Sequence, residues 1–317
     1  MLDTYKRQFG KMPPTNNCMS PLADGDHPEL DDSEYLTGDN ISIFQSLIGA
    51  LQWAISIGRM DIATAVMTMS SFRAAPRIGH LNRLHRFYGY LRQFKDAAIR
   101  FRTAEPDYSQ LPEQDYDWAY SVYGSPHEII PKDAPRPLGK WVQTTTYGDA
   151  NLMHDLATGR SVTAALHFVN KTPIEWFSKK QATVETATYG SEFVAARTCV
   201  EQIIDLRLTL RYLGVPLWER SVMFGDNESV VKSSTLPQGK LHKRHTALSF
   251  HRVREAVASK IIAYHFLPGK ENPADLLSKN WTHSAVYDMA IKPILFYCGN
   301  TDDLLLPKST KAKKDGE

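Results

Sequence analysis

Apolar residues recur at helical spacing in three stretches of the first hundred residues. The stretches begin at Phe44, Ile62 and Leu81, and each places an apolar residue at every third or fourth position. The pattern therefore predicts a small helical unit over residues 41–103. The polar, turn-rich residues 1–40 lack this periodicity and are predicted to form an extended leader.

Residues 104–140 have a different character. Six of the 18 prolines of the chain fall in this stretch, among acidic residues and tyrosines. Proline removes a backbone donor and clashes with the preceding turn, so this composition does not sustain a helix. The stretch is predicted to be a Pro-rich linker or long connection.

Strand and helix patterns alternate after residue 140. The sequence predicts strands over 141–147, 161–169, 174–177, 222–225 and 261–267, and helices over 188–213, 228–232 and 246–259, with a last helix from Pro273. Three strands followed by helix–strand–helix–helix–strand–helix is typical of a mixed α/β sheet flanked by helices. We expect this domain to span residues 141–282, with a C-terminal extension and disordered tail over residues 283–317.

Composition limits the class of protein. The chain has 317 residues, of which 42% are hydrophobic and 23% charged, as in an ordinary globular protein. Its three cysteines form no Cys-x-x-Cys pair, which argues against a disulfide framework and fits a reducing, intracellular compartment. No run approaches the roughly 18 apolar residues of a membrane span, so no membrane partner is expected.

Basic residues are unevenly distributed, although the net charge is only +2. Residues 41–103 hold nine Lys or Arg against two acids, and residues 240–260 hold six against one. Such blocks are typical of a surface that meets a polyanion, and equally of a solvated helix face.

Four acids of the α/β domain are candidate metal ligands. Asp149 and Asp226 are expected at strand ends, where sites form in open sheets, and Asp275 is expected at the start of the last helix. Each alone is explained as well by a turn or helix cap. Four such carboxylates together are the oxygen ligands that magnesium prefers.

Glu192 is the most informative of these acids. The apolar stripe of its helix runs through Cys199, Ile203 and Leu206, and a step of seven residues back from Cys199 reaches Glu192. Glu192 is therefore predicted to face inward, where a carboxylate is costly unless it is paired or bound to a metal. A glutamate that only favours the helix dipole in the first turn is the alternative.

Five segments in this order resemble the ribonuclease H domain of Ty1/copia-type LTR retrotransposons: Tyr147–Ala150, Ile174–Gln181, Ser191–Ala195, Gly225–Ser229 and Ala274–Lys279. Two further segments resemble the stretch of the same polyproteins between polymerase and ribonuclease H: Phe44–Leu51 and Met60–Val66. The resemblance implies a ribonuclease H-like five-stranded mixed sheet preceded by a reverse-transcriptase connection or thumb-like segment over residues 41–103.

The resemblance also implies a function. Asp149, Glu192, Asp226 and Asp275 would be both the catalytic residues and the ligands of two Mg²⁺ ions, with Mn²⁺ as a substitute. One ion would activate water and the other would stabilise the leaving 3′-oxygen. The substrate would be the RNA strand of an RNA–DNA hybrid, recognised by its 2′-hydroxyls. Tyr147–Ala150 lacks the second Asp of a polymerase Tyr-x-Asp-Asp box, so no polymerase active site is expected in this chain. The resemblance implies that the polymerase palm lies upstream.

A basic segment is the candidate nucleic-acid interface. We expect five residues to contact the hybrid: Asn227, Lys240, Lys243, Arg244 and Arg252. Arg254 belongs to the same basic block. The histidine that cellular ribonucleases H carry before the last acid is missing here, and its role is either absent or filled by Lys270.

Two alternatives stay open at this level. The chain would otherwise be a catalytically decayed or domesticated nucleic-acid-binding remnant, or a scaffold that supports a polymerase in trans. The four retained acids argue against the first alternative, but Asn151 stands where many relatives have a second Asp, and this departure keeps that alternative open.

Overall fold

The N-terminal part of the chain is helical. The computed structural model describes residues 1–241, 243–281 and 294–297. Its first four helices and first strand are α1 (Leu2–Phe9), α2 (Asp39–Ser56), α3 (Ala63–Ser70), α4 (Ile78–Gln93) and β1 (Ala97–Ile99). The leader thus includes one helix, and the three helices predicted for residues 41–103 are present. Most of the predicted tail, residues 283–317, lies outside the described residues.

The second part of the chain forms a five-stranded mixed sheet. Its elements are β2 (Thr144–Asp155), β3 (Arg160–Val169), β4 (Thr172–Lys180), α5 (Thr188–Tyr212), β5 (Ser221–Gly225), α6 (Glu228–Thr235), α7 (Ala247–Ala258), β6 (Ile262–Phe266) and α8 (Asp275–Ser278). The strand order is β4-β3-β2-β5-β6, with β2, β3 and β4 antiparallel and β5 and β6 parallel to β2. A short strand, β7 (Leu295–Tyr297), pairs with β1 outside this sheet. The predicted fold class, a mixed five-stranded sheet flanked by helices and preceded by a small helical unit, is confirmed.

Strand β2 is longer than the sequence predicts. The expected strand ended at Tyr147, whereas β2 continues to Asp155 because β3 pairs with it as a hairpin from Thr144 to Asn151. Its pairing with β5 stops earlier, at Tyr147. The prediction that Asp149 ends the strand is therefore wrong: Asp149 lies within β2, just beyond the last residue that pairs with β5.

Both faces of the sheet are covered. On one face, Phe193 and Val200 of α5 and Val253 of α7 pack with Met223 of β5 in a buried core. On the other face, the helical unit packs against β3 and α8. The two parts of the chain therefore share a core, which contains the buried side chains of Leu51, Leu84, Leu166, Leu276 and Leu277.

The Pro-rich stretch packs along the α/β domain without forming a helix or strand. The side-chain amide of Gln114 pairs with the backbone of Tyr264 in β6. Its Oε1 accepts from the backbone N–H of Tyr264, and its Nε2 donates to the carbonyl of the same residue, as the backbone of a neighbouring strand would. Trp118 is buried, and the guanidinium of Arg254 contacts both its ring and the ring of Phe250. Among the described residues, no helix is long and apolar enough to cross a membrane.

Candidate active site

Sheet register brings two of the predicted acids together. Tyr147 of β2 pairs with Phe224 of the parallel strand β5. Asp149 and Asp226 each follow that pair by two residues, so they lie side by side where β5 ends. Glu192 of α5 completes the group, and a carboxylate oxygen from each of the three acids lies within 4.8 Å of the other two.

Helix α5 can bring Glu192 so close to β2 because Gly148 has no side chain. A Cβ atom at Gly148 would come within 2.9 Å of the Sγ of Cys199, the residue two turns after Glu192 on the helix. Glu192 itself is only 8% exposed, so the inward orientation predicted from helix periodicity is confirmed.

Burial and mutual repulsion raise the pKa values of these acids. Burial raises the pKa of Glu192 well above its ordinary value, and the charges of Asp149 and Asp226 raise it further. The pKa of Asp226 is raised by burial and by Asp149. Burial and Asp149 also raise the pKa of Asp275 to about 6. The group therefore holds more negative charge than its surroundings stabilise.

Asp275 sits beside the three clustered acids and is paired with a lysine. The Nζ of Lys279 lies 2.6 Å from Oδ1 of Asp275 and 3.7 Å from Oδ2 of Asp149. Burial lowers the pKa of Lys279, but the charges of Asp149 and Asp275 outweigh it and raise this pKa. The Oγ of Ser278 donates a hydrogen bond to Oδ2 of Asp149.

Ser278 and Lys279 were not predicted from the sequence to have a role in the site. Their spacing from Asp275, three and four residues on a helix, was the available signal, since such positions share a helix face. Their contacts with Asp149 join residues about 130 positions apart, and no local pattern predicts them.

The cluster suits a hard divalent cation. Its donors are carboxylate oxygens only. Asp149 and Glu192 are buried and Asp226 is half-buried, and the charge of Asp149 raises the pKa of the other two, so a cation would relieve the repulsion. Asp149, Glu192 and Asp226 are placed to share one ion, and Asp275 lies where it could share another with Asp149.

The candidate nucleic-acid residues differ in their exposure and in their contacts. Lys240 and Arg244 are exposed, and the Nζ of Lys243 lies 3.4 Å from Oγ1 of Thr186, in the loop before α5. Arg252 pairs with Glu255 on α7 at 3.1 Å. Asn227 caps α6, since its Oδ1 accepts from the backbone N–H of Val230.

Arg254 differs from the rest of the basic block. The sequence grouped it with residues that meet phosphates, which is wrong: Arg254 is 3% exposed. Its guanidinium donates to the backbone carbonyls of Ser233, Leu236 and Pro237, because the chain folds back over α7 before reaching Lys240.

His265 and Lys270 flank the loop before Asp275. His265 is buried in β6, and burial lowers its pKa to about 4. Lys270 is exposed in a single 3₁₀ turn, Gly269–Glu271.

Comparison with known proteins finds relatives of this chain among retrotransposon polyproteins. A retrovirus-related Pol polyprotein from transposon TNT 1-94 of Nicotiana tabacum is 25% identical over 236 residues, which cover 74% of this chain. A second Pol polyprotein, from transposon RE1 of Arabidopsis thaliana, is 23% identical over 250 residues, or 78% of this chain. The chain is homologous to the Pol polyproteins of plant copia-type retrotransposons. It matches a C-terminal part of them and spans 14–15% of their length.

Other comparisons of this Pol-related chain are weaker. No protein-family model matches it. Among solved structures, LC11-RNase H1, isolated from compost and crystallised with an RNA/DNA hybrid, aligns with a TM-score of 0.34 and 15% identity over 47% of this chain and 96% of that one.

Proposed function

We propose that this chain is a ribonuclease H that cleaves the RNA strand of RNA–DNA hybrids with the help of divalent metal ions. The observation that carries the proposal is the group formed by the buried Asp149 and Glu192 and the half-buried Asp226, with one carboxylate oxygen of each within 4.8 Å of the others at the end of β5. Homology to retrotransposon Pol polyproteins supports a hybrid substrate, since reverse transcription produces one.

Magnesium ions bound here would supply a water of lowered pKa and stabilise the leaving 3′-oxygen. The residues of the chain have separate tasks in this proposal. Asp149, Glu192 and Asp226 hold one ion, and Asp149 and Asp275 contribute to a second. Lys279 offers a positive charge beside Asp149 and Asp275, and the exposed Lys240 and Arg244 contact backbone phosphates of the hybrid.

The test is cleavage of a hybrid labelled on its RNA strand, with the full chain and with Asp226→Asn. We expect the wild-type chain to release RNA fragments in Mg²⁺ and to lose this activity in excess chelator. Asp226→Asn should lower the rate by at least about a hundredfold, because it removes a ligand charge while keeping the shape of the side chain.

A matched control is Asp205→Asn. It makes the same Asp-to-Asn change at an exposed residue of α5 that lies outside the proposed site. It should cleave at the wild-type rate, and both variants should keep the wild-type melting temperature within a few degrees. Binding of the hybrid without any cleavage would instead favour a decayed or domesticated nucleic-acid-binding protein. Cleavage by Asp226→Asn at the wild-type rate would rule out the assignment of this acid.

A further inference from the structure

The helical unit contacts the element that carries part of the site. Thr64 of α3 donates a hydrogen bond from Oγ1 to the backbone carbonyl of Leu276, at 3.2 Å. Leu276 follows Asp275 directly in α8, and Thr64 is 3% exposed, so this bond is shielded from water. Residues 212 positions apart in the sequence are thus joined next to a proposed metal ligand.

A second route starts one helical turn further along α3. The Oγ1 of Thr68 lies 3.2 Å from Nε2 of His154, and Nδ1 of His154 lies 3.0 Å from Nδ2 of Asn151. Burial lowers the pKa of His154, which favours the neutral ring. A neutral ring with its proton on Nε2 satisfies both contacts, donating to Thr68 and accepting from the amide of Asn151.

The second route also reaches α8. The same Nδ2 of Asn151 donates to the backbone carbonyl of Ser278 at 3.3 Å, and the hydroxyl of Ser278 donates to Oδ2 of Asp149. Helix α8 has only four residues, Asp275–Ser278, so its own backbone hydrogen bonds hold it weakly. Its position therefore depends on what it touches.

We infer that helix α3 is part of the support of the active site: through Thr64, and through Thr68, His154 and Asn151, it holds α8 so that Ser278 orients Asp149 and Asp275 faces the cluster. These are positioning residues, and the inference rests on the proposed function of the site. It gives the helical unit a task besides covering the sheet. Asn151 also has a positioning task, because its amide nitrogen donates to both His154 and the backbone carbonyl of Ser278. An ionised Asp at this position has no donor.

The experiment uses the full-length chain and pairs of variants that separate shape from hydroxyl. Thr64→Val and Thr68→Val keep the branched side chain and lose the hydroxyl, whereas Thr64→Ser keeps the hydroxyl and loses a methyl group. Thr235→Val is the matched control, since Thr235 is equally buried but donates only to Val231 within its own helix α6. Ser278→Ala and Ser278→Thr form the corresponding pair for the hydrogen bond from Ser278 to Asp149: the first loses the hydroxyl and the second keeps it.

Two readouts are needed. The first is hybrid cleavage, analysed as kcat and KM. We expect Thr64→Val and Ser278→Ala to lower kcat about tenfold with KM unchanged, because ligand geometry and not hybrid binding is disturbed. Thr64→Ser and Ser278→Thr should restore most of kcat, and Thr235→Val should leave it unchanged.

The second readout is independent of cleavage: the Mg²⁺ concentration that gives half of the metal-induced rise in melting temperature. It should increase about threefold or more in Thr64→Val, Thr68→Val and Ser278→Ala, and stay unchanged in Thr235→Val. One result would overturn the inference: kcat falls in proportion to the loss of thermal stability, and it falls equally in Thr64→Ser and Thr64→Val.

The inference and the proposed function fail in different ways. A wild-type chain that cleaves hybrid, with all hydroxyl variants equal to it in kcat and Mg²⁺ dependence, would overturn the inference alone. A wild-type chain that neither cleaves hybrid nor gains stability from Mg²⁺ would overturn the proposed function, and the inference with it.

Discussion

At the scale of single residues, the site combines charges that repel one another. Glu192 lies on the core side of α5, and its pKa is raised because burial and the neighbouring carboxylates of Asp149 and Asp226 both disfavour its ionised form. An ionised Glu192 therefore costs stability in the protein without bound metal. The same charge becomes favourable when a divalent cation is present.

Glu192→Gln tests this balance. In chelator at pH 8, we expect the variant to have a higher free energy of unfolding than the wild-type chain, because glutamine carries no charge that burial and the neighbouring carboxylates disfavour. The free energy of unfolding is measured by urea denaturation with and without Mg²⁺. Added Mg²⁺ should stabilise the wild-type chain and should stabilise the variant much less.

The pH dependence of this difference has a defined sign. A carboxyl whose pKa is raised in the folded state binds its proton more tightly there than in the unfolded chain, so its cost grows as pH rises above the ordinary value of 4.5. The advantage of Glu192→Gln should shrink as pH is lowered towards 4 and vanish when Glu192 is protonated in both states. An advantage that is constant from pH 4 to pH 8 would contradict a charge-based origin.

At the scale of elements, the Pro-rich stretch is held by a partly buried ion pair. Glu128 accepts hydrogen bonds from Nε and Nη2 of Arg207, at 2.8 and 2.7 Å, and from Arg211 at 2.5 Å. Arg207 is 1% exposed. Burial raises the pKa of Glu128, but the two arginines outweigh it and hold this pKa below its ordinary value. The stretch is thereby fixed to α5.

Glu128→Gln should destabilise the chain by about 2 kcal/mol, because it leaves the buried guanidinium of Arg207 without its counter-charge. The free energy of unfolding from urea denaturation provides the measurement. Glu201→Gln is the control, since it breaks the Arg197–Glu201 pair, which is 43% and 45% exposed, and should cost less than about 0.5 kcal/mol. Equal effects of the two variants would show that the Pro-rich stretch is only loosely attached.

At the scale of the whole molecule, the helical unit and the sheet share one hydrophobic core, so we expect them to unfold together. Leu51 of α2, Leu166 of β3 and Leu277 of α8 are all fully buried in that core. The indole of Trp176 in β4 also donates to the carbonyl of Ile55, at 3.0 Å. Neither part buries its apolar face without the other.

Leu51→Ala tests this cooperation. The substitution should cost about 2–5 kcal/mol, as expected for a buried leucine that leaves a cavity. Hydrogen exchange should show the same loss of protection at the slowest amides of α2 and of β3. A loss confined to the helical unit would mean that the sheet remains folded when the helices open.

The sequence by itself determined most of the helices and strands. Hydrophobic periodicity predicted the three helices of residues 41–103, the strands and helices of the α/β domain, and the inward face of Glu192, because these depend on neighbours within one or two turns. Local pattern was weakest at the limits of strands. Whether β2 ends at Tyr147 or continues to Asp155 depends on the partner strand β3, which supplies the hydrogen bonds.

The tertiary structure alone decided which side chains meet. Parallel register set Asp149 beside Asp226, and the packing of α8 under α3 brought Ser278 and Lys279 to Asp149, over separations of about 130 residues. Burial of Arg254 was decided in the same way. Residue type and spacing fix what a side chain can donate or accept, but the contacts it makes across the fold follow from sheet register and helix packing, which no local window of sequence contains.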